Sequence, residues 1–187
     1  RNIQDEVCRL RNAGADRWIV DLRYNGGGNM NPMVEGLATI IGNGPSGGAV
    51  GVVPTDDVTW EIVDGDFFNN GYSIRLPNSC SYDSFPKVAV LTSLYTASSG
   101  EAVAVIFKGR DRTRFFGGNT LGMVTGTNWE VISEEISMSI SVNYYRDRTG
   151  KVYRNYVDVD EEIAFASDTE ARIDPCVRRS IEWLMQE

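Results

Sequence analysis

The chain has 187 residues, 42% of them hydrophobic, 24% charged and 10% aromatic, the make-up of one globular domain long enough to bury a core. With 18 Lys+Arg against 26 Asp+Glu the net charge is −8, a balance that repels phosphate backbones and anionic lipid and so argues against nucleic-acid or membrane-surface partners. No apolar run approaches the ~20 residues that cross a bilayer, and residues 1–20 carry no signal peptide.

The elements are predicted in chain order. Ile3, Val7 and Leu10 fall at helical spacing within residues 2–13, with Gly14 where a C-cap belongs. Trp18–Leu22 reads as a short buried strand, followed by the run Gly26-Gly27-Gly28. Asn31-Pro32 has the look of a helix start, and the helix continues through Val34, Leu37, Ile40 and Ile41. Gly, Pro, Asn and Asp then cluster at 42–48, 54–57, 64–71 and 77–84, separating β-prone runs at 49–53, 58–63 and 72–76. Residues 43–86 are therefore predicted as a β-rich excursion or flap. Lys87–Thr92 is a strand of the buried parallel type, and the apolar run Ala102–Phe107 is predicted helical from the cap signals before it. A strand at 113–116 leads to a Gly-rich turn at 117–122. Alternation returns from 129 to 159, with a hairpin-like turn at Asp147–Gly150, and Asp174-Pro175 launches a last helix whose shared face is Val177, Ile181 and Leu184. One domain of α/β class is predicted over 1–187.

Two absences constrain the chemistry. There is no histidine, and the only lysines are Lys87, Lys108 and Lys151. A Ser-His-Asp triad, a histidine-bearing zinc site or a histidine base cannot be completed from this chain alone. The cysteines Cys8, Cys80 and Cys176 lack metal-site spacing and permit at most one intramolecular disulfide. Asp56, Asp57, Asp158, Asp160, Glu161 and Glu162 form no D-x-D-x-D-G calcium loop and read as a solvated acidic face. Phe67, Phe68, Tyr144, Tyr145 and Tyr153 suit either a peptide groove or the packing of a β-layer, and Cys176 suits a small buried hydrophobe. No cofactor is implied.

Two segments carry the candidate chemistry. Gly26–Gly28 between a strand and a helix allows close backbone approach and an anion-holding set of N–H groups, but matches neither G-x-G-x-x-G nor a P-loop. Thr96-Ala97-Ser98-Ser99-Gly100-Glu101 sits between a buried strand and a helix, where a serine nucleophile is presented, and meets half of the G-x-S-x-G elbow. By itself Ser98-x-x-Glu101 is a capping box. Together the two segments place a hydroxyl and backbone donors after two strands, at the sheet edge where ligands collect, which is the minimum equipment for acyl transfer.

Asp21-Leu22-Arg23-x-Asn25-Gly26-Gly27-Gly28, the string at 96–101, Phe107-Lys108-Gly109-Arg110 and Gly117-x-x-Thr120-x-Gly122 resemble the tail-specific or C-terminal-processing serine peptidases over about residues 15–185. The resemblance implies a crotonase-like α/β fold of stacked sheet and helix layers, and proteolysis of peptide or protein substrates through an acyl-enzyme. It implies Ser98 as nucleophile, the N–H of Ser99 with Gly26 and Gly27 as oxyanion hole, and Glu101 and Thr120 as supporting residues. Met123 stands where the tail-specific branch has its catalytic lysine, and Lys108 matches a different position. Gly27–Pro32 and the Asp147–Lys151 turn are more similar to the tricorn-like and lantibiotic-cleaving branch, whose base is a histidine N-terminal to the Asp-Leu-Arg strand. Because Arg1 opens inside a helical pattern, the chain is expected to be part of a longer protein, with the base in a missing N-terminal segment and the fragment inert without it. The resemblance further implies export to the bacterial envelope or periplasm. The alternatives are an inactive family member that serves as a peptide- or ligand-binding scaffold and, further off, an acyl-CoA enzyme of the crotonase fold.

Overall fold

The computed structural model describes residues 3–73, 75–76, 79–164 and 174–186. Strands β1 (Arg17–Asp21), β5 (Lys87–Thr92), β6 (Thr113–Gly117) and β9 (Glu161–Glu162) form a parallel sheet in the order β1-β5-β6-β9. Strands β2 (Gly44–Gly51), β3 (Val58–Val63), β4 (Asp66–Asn69), β7 (Thr125–Val131) and β8 (Ser137–Arg146) form an antiparallel sheet in the order β4-β3-β2-β8-β7. The helices are α1 (Ile3–Asn12), α2 (Met30–Ile41), α3 (Ser99–Phe107) and α4 (Pro175–Leu184).

Strand β5 is apolar along its interior because both its faces are covered, as parallel strands require. Val88 and Val90 join the cluster that holds the α2 and α3 side chains, whereas Ala89 and Leu91 join Cys176 and Leu184 of α4. The period-2 alternation of one strand thus feeds two cores. Helix α3 is buried at all nine residues and contacts α2, β2, β5 and β8, which explains why its sequence shows no polar face: an all-round apolar helix belongs between layers. The order of layers is antiparallel sheet, α2 with α3, parallel sheet, α4. This is the expected α/β fold of stacked sheets and helices. Cys8 of α1 is disulfide-bonded to Cys80 in the segment before β5, and Cys176 is free and buried.

The predicted elements at 2–13, 18–22, 87–92, 102–107, 113–116 and from Pro175 all form, each within a few residues of its expected bounds. Several details differ for identifiable reasons. Helix α2 is capped by Asn29, whose side chain accepts from the Asn31 N–H at 3.1 Å, so it starts ahead of the Asn31-Pro32 signal. The stretch 64–71 holds a strand because Asp64 (φ 53°) and Gly65 (φ 83°) make a tight hairpin turn with two positive φ angles, pairing β4 with β3. The run at 72–76 forms no strand: Tyr72 makes a lone bridge to Asn69, and Ile74 lies outside the described residues. Residues 43–86 are β-rich as expected but form no flap, since they supply β2, β3 and β4, three of the five strands of the second sheet, with β2 paired to β8. Alternation after Gly150 yields only an Arg146–Val152 bridge. In α4 the buried row is Cys176, Ser180 and Leu184, with Ile181 exposed, and in α1 it is Gln4, Val7 and Cys8, with Ile3 exposed.

Candidate active site

Strands β1 and β5 lie side by side in parallel, Arg17 opposite Lys87 through Asp21 opposite Leu91. The loops that follow them therefore leave the same sheet edge. Side chains and backbone then tie the two loops together. The Thr96 hydroxyl donates to the Leu22 carbonyl at 2.8 Å, the Ser93 hydroxyl donates to the Arg23 carbonyl, and the Ala97 N–H donates to the Asn25 carbonyl at 3.0 Å. A Cβ at Gly100 would stand 2.2 Å from that Asn25 carbonyl, so the position admits no side chain. At Gly27 (φ 109°) a Cβ would meet Ser98 Cβ at 2.8 Å and Ser99 N at 3.2 Å. The glycine bend and Ser98 are in contact.

Ser98 caps α3 with φ 50° and ψ −120°, a strained state for a residue with a Cβ, of the kind found at nucleophile turns. Glu101 holds it there. Its Oε2 accepts from the Ser98 N–H at 2.9 Å, the carboxylate half of the expected capping box, while its Oε1 accepts from the Thr120 hydroxyl and from the Gly122 N–H at 2.9 Å. The Thr120 hydroxyl in turn accepts from the Val157 N–H at 2.8 Å. Glu101 is fully buried, and these three donors are the compensation a buried carboxylate needs. Thr120-x-Gly122 therefore clamps the residue that clamps Ser98.

The Ser99 N–H lies in the first turn of α3, where helix geometry leaves donors without intrahelical acceptors and the helix dipole favours negative charge. The Ser99 hydroxyl donates to the Gly28 carbonyl at 2.6 Å. The Gly27 N–H donates to Asn25 Oδ1 at 3.1 Å, an interaction that residue patterns did not suggest although Asn25 stands inside the Asp21–Gly28 block. The structure thus gathers Ser98, Ser99, Gly26, Gly27, Glu101 and Thr120 at one sheet edge.

Beside Ser98 and Ser99 opens a cleft of about 520 Å³, within the ordinary range for ligand sites. Asn29 and Asn128 contribute to its lining, as do Trp60 and Tyr145 of the antiparallel sheet. None of its lining residues is Asp, Glu, Lys or Arg. Burial, with Glu101 nearby, pushes the Tyr145 hydroxyl up to about 12, so it stays neutral too. Lys108 is the C-cap at the far end of α3, its ammonium 3.9 Å from the Phe115 ring centroid and 4.0 Å from Asp158. It is part of the frame, and so is Arg110, whose buried guanidinium donates to the Ile40 and Ile41 carbonyls at the end of α2. Of the aromatics considered for a groove, Tyr145, Phe67 and Tyr153 all pack in the core, and of these three Tyr145 also lines the cleft. Glu161 pairs with Arg114 and Arg179, and Asp158 with Lys151; no metal-binding cluster occurs among the described residues.

A strained serine between a parallel strand and a helix, facing a glycine bend, has the backbone setting of a nucleophile turn. The chain belongs to peptidase family S41, which matches residues 1–163. It is 29% identical over 140 residues to a nisin-resistance protein of Lactococcus lactis subsp. lactis, an alignment covering 74% of this chain and 43% of that protein. In three dimensions it is similar to a lipoprotein from Streptococcus agalactiae, with TM-score 0.72, 22% identity, and coverage of 97% of this chain and 60% of that one. It is also similar to a photosystem II D1 C-terminal processing protease, with TM-score 0.62, 21% identity, and coverage of 86% of this chain and 38% of that one. The chain spans less than two thirds of each of these relatives.

Proposed function

We propose that the protein is a serine endopeptidase that hydrolyses peptide or protein substrates through an acyl-enzyme on Ser98. The observation that carries the reading is the contact between the glycine bend and Ser98, which leaves no room for a Cβ at Gly27. In this reading the Ser98 oxygen attacks the scissile carbonyl and the Ser98 proton passes to a base. The tetrahedral oxyanion is received by the Ser99 N–H and the amides of Gly26 and Gly27. The Gly27 N–H now donates to Asn25 Oδ1 at 3.1 Å, so its use requires exchange of that bond for one to the oxyanion, the stronger acceptor. Collapse expels the amine, and water releases the acyl group. Glu101 and Thr120 act as positioning residues, through the Ser98 N–H.

The base is contributed from outside these 187 residues. The chain has no histidine, the cleft has no charged lining residue, Met123 stands at the lysine position, and Lys108 is a helix length away. A histidine from another segment of the full protein fits the branch resemblance, and the present chain alone is then inert. An exported protein of the bacterial envelope fits both a relative described as a lipoprotein and the Cys8–Cys80 disulfide, a bond that persists in oxidising compartments. The same uncharged cleft also suits a second reading, a peptide-binding scaffold without catalysis. The test is peptide cleavage by the full-length protein and by its Ser98→Ala variant. Loss of cleavage with an unchanged melting curve is expected; undiminished cleavage by the variant removes Ser98 from the role.

A further inference from the structure

Resting on the reading of the cleft beside Ser98 as the working site, we propose that Glu35 is a positioning residue for it: Glu35 shares one proton with Asp66, and that proton holds helix α2 against strand β4 at the cleft wall. Glu35 is the single charged residue of α2 and is 2% exposed. Its Oε2 accepts from the Phe67 N–H of β4 at 2.8 Å. One turn earlier on the same helix face, Asn31 Oδ1 accepts from Asn69 Nδ2 of β4 at 2.9 Å. The later helix residue meets the earlier strand residue, so helix and strand run in opposite senses and the two bonds are rungs of one joint. Asn31 and Asn69 both line the cleft, next to Asn29 and Met30 at the start of α2. Whatever loosens the Glu35 rung reaches the cleft wall through the Asn31 rung.

The Glu35 rung is incomplete without a proton. Glu35 Oε1 and Asp66 Oδ1 are both buried, and neither has a hydrogen-bond partner. Asp66 directly precedes Phe67, and its charge acts on Glu35. Two ionised carboxylates would leave both acceptors unmet and set like charges against each other away from water. One proton on Glu35 Oε1, donated to Asp66 Oδ1, satisfies both atoms, while Oε2 keeps the Phe67 N–H. Burial raises the Glu35 carboxyl above its ordinary value, the Phe67 N–H draws it back, and the Asp66 charge raises it further. Asp66 is the only charged residue of β4. On the other elements packed against α2, the charged groups are engaged or face outward. Glu6 and Arg9 of α1 pair with each other at the surface, Arg11 lies over the Tyr82 ring, and Asp5 is partly exposed. Glu101 of α3 is committed to Ser98, Thr120 and Gly122. A carboxyl raised on folding stabilises the joint below its unfolded pKa, about 4.3, and that contribution is lost as pH rises through the higher folded value.

The test compares the full-length protein with its Glu35→Gln and Asp66→Asn variants by amide hydrogen exchange across about pH 5 to 8, corrected for the intrinsic pH dependence of exchange. Glu35→Gln keeps an oxygen for the Phe67 N–H and offers its NH2 group to Asp66, so it stands in for the protonated acid at every pH. In the unaltered protein, residues 29–31 and 67–69 are expected to exchange at least about threefold faster at the upper end of the range than at the lower. In Glu35→Gln they should stay protected throughout. Infrared difference spectra should show a protonated-carboxyl band that both variants lack, since Asp66→Asn supplies an NH2 donor and frees Glu35 of its proton. The apparent KM for a random fluorogenic hexapeptide library should rise with the exchange rate in the unaltered protein and stay level in Glu35→Gln. No protonated-carboxyl band, or an exchange profile equal to that of Glu35→Gln at every pH, overturns the proposal. Variants that loosen the joint equally at all pH values would make it an ordinary structural contact and also overturn it, and a KM that ignores the exchange profile overturns the link to the cleft. If Glu35→Gln fails to fold, the band and Asp66→Asn decide. Cleavage that persists in Ser98→Ala, or a library left uncut, counts against the reading of the cleft, and the exchange and infrared results still decide the joint.

Discussion

Ser98 occupies a backbone state that a residue with a Cβ adopts at a cost of about 1–3 kcal/mol, and the surrounding hydrogen bonds hold it there. Glu101 supplies the anchor at the Ser98 N–H and is itself anchored by Thr120 and Gly122. Removing the carboxylate leaves three buried donors unmet, each worth roughly 1–3 kcal/mol. Glu101→Ala is therefore expected to lower unfolding stability by at least ~2 kcal/mol in urea melts. Glu101→Gln is expected to cost less, because its amide oxygen can still serve Thr120 and Gly122 while its NH2 group confronts the Ser98 N–H. Gly27→Ala combines a disfavoured φ with a 2.8 Å approach to Ser98 Cβ. Turnover should fall by roughly 100-fold or more, the scale of losing an oxyanion donor, and a near-normal kcat would mean that the bend is not part of the site. Cys176 offers a control: burial pushes its thiol up to about 11, so it should resist alkylation in the native protein at pH 8 and react on unfolding. At this scale the approach of Ser98 to the glycine run was legible as soon as the two strings were set side by side. Ser98-x-x-Glu101 was legible as a helix cap, but the further bonds of Glu101 to Thr120 and Gly122 were not, because a cap alone explains the same residues. Asn25 was not legible, since its role depends on where the Gly27 N–H points.

Between elements, Arg23 and the Cys8–Cys80 bond set the frame. The Arg23 guanidinium bonds to Asp21 at 2.7 Å and to Asp174 at 2.7 Å, joining the end of β1 to the N-cap of α4. Burial alone would raise the Asp174 carboxyl, but the hydrogen bond from Arg23 and those from the Val177 and Cys176 N–H groups outweigh it and hold it below the ordinary value. A carboxyl depressed on folding stabilises the fold above its unfolded pKa, about 3.9, and that contribution is lost as pH falls through the lower folded value. Melting temperature should thus drop below about pH 4, with the Asp174→Asn protein starting lower and showing less of this dependence. An equal acid dependence in the variant would assign the effect elsewhere. The disulfide bridges a sequence separation of 72, and its removal in Cys8→Ser/Cys80→Ser should cost about 2–4 kcal/mol, read as a lower denaturant midpoint. The Asp-Leu-Arg string was recognisable by type, yet its partner Asp174 was readable only as a helix cap because it lies 151 residues away. β4 was hidden for a different reason: the Asp64-Gly65 pair that forms its hairpin turn also resembles ordinary loop composition.

Across the molecule, two sheets are joined through a helix layer, and the site lies where loops of the parallel sheet face the antiparallel one. The parallel half was legible from buried apolar runs and cap signals, because those are local. The antiparallel strands were legible as β-prone runs at 49–53, 58–63 and from 129, but their pairing was not, because β2 meets β8 only after an interval of more than fifty residues, and no local pattern reports such pairing. The cleft inherits that division: Ser98 and the glycine bend come from the legible half, while Ala49, Trp60 and Tyr145 come from the other. What unites the halves is the assignment of the Ser98 hydroxyl as the reacting group. Its most direct test is treatment of the full-length protein with a serine-directed phosphonate, followed by mass mapping of the modified peptide. The predicted result is one stoichiometric adduct on Ser98, absent from the Ser98→Ala and heat-unfolded proteins. A protein that cleaves peptides yet carries no adduct at Ser98, or carries it on another serine, would contradict the assignment.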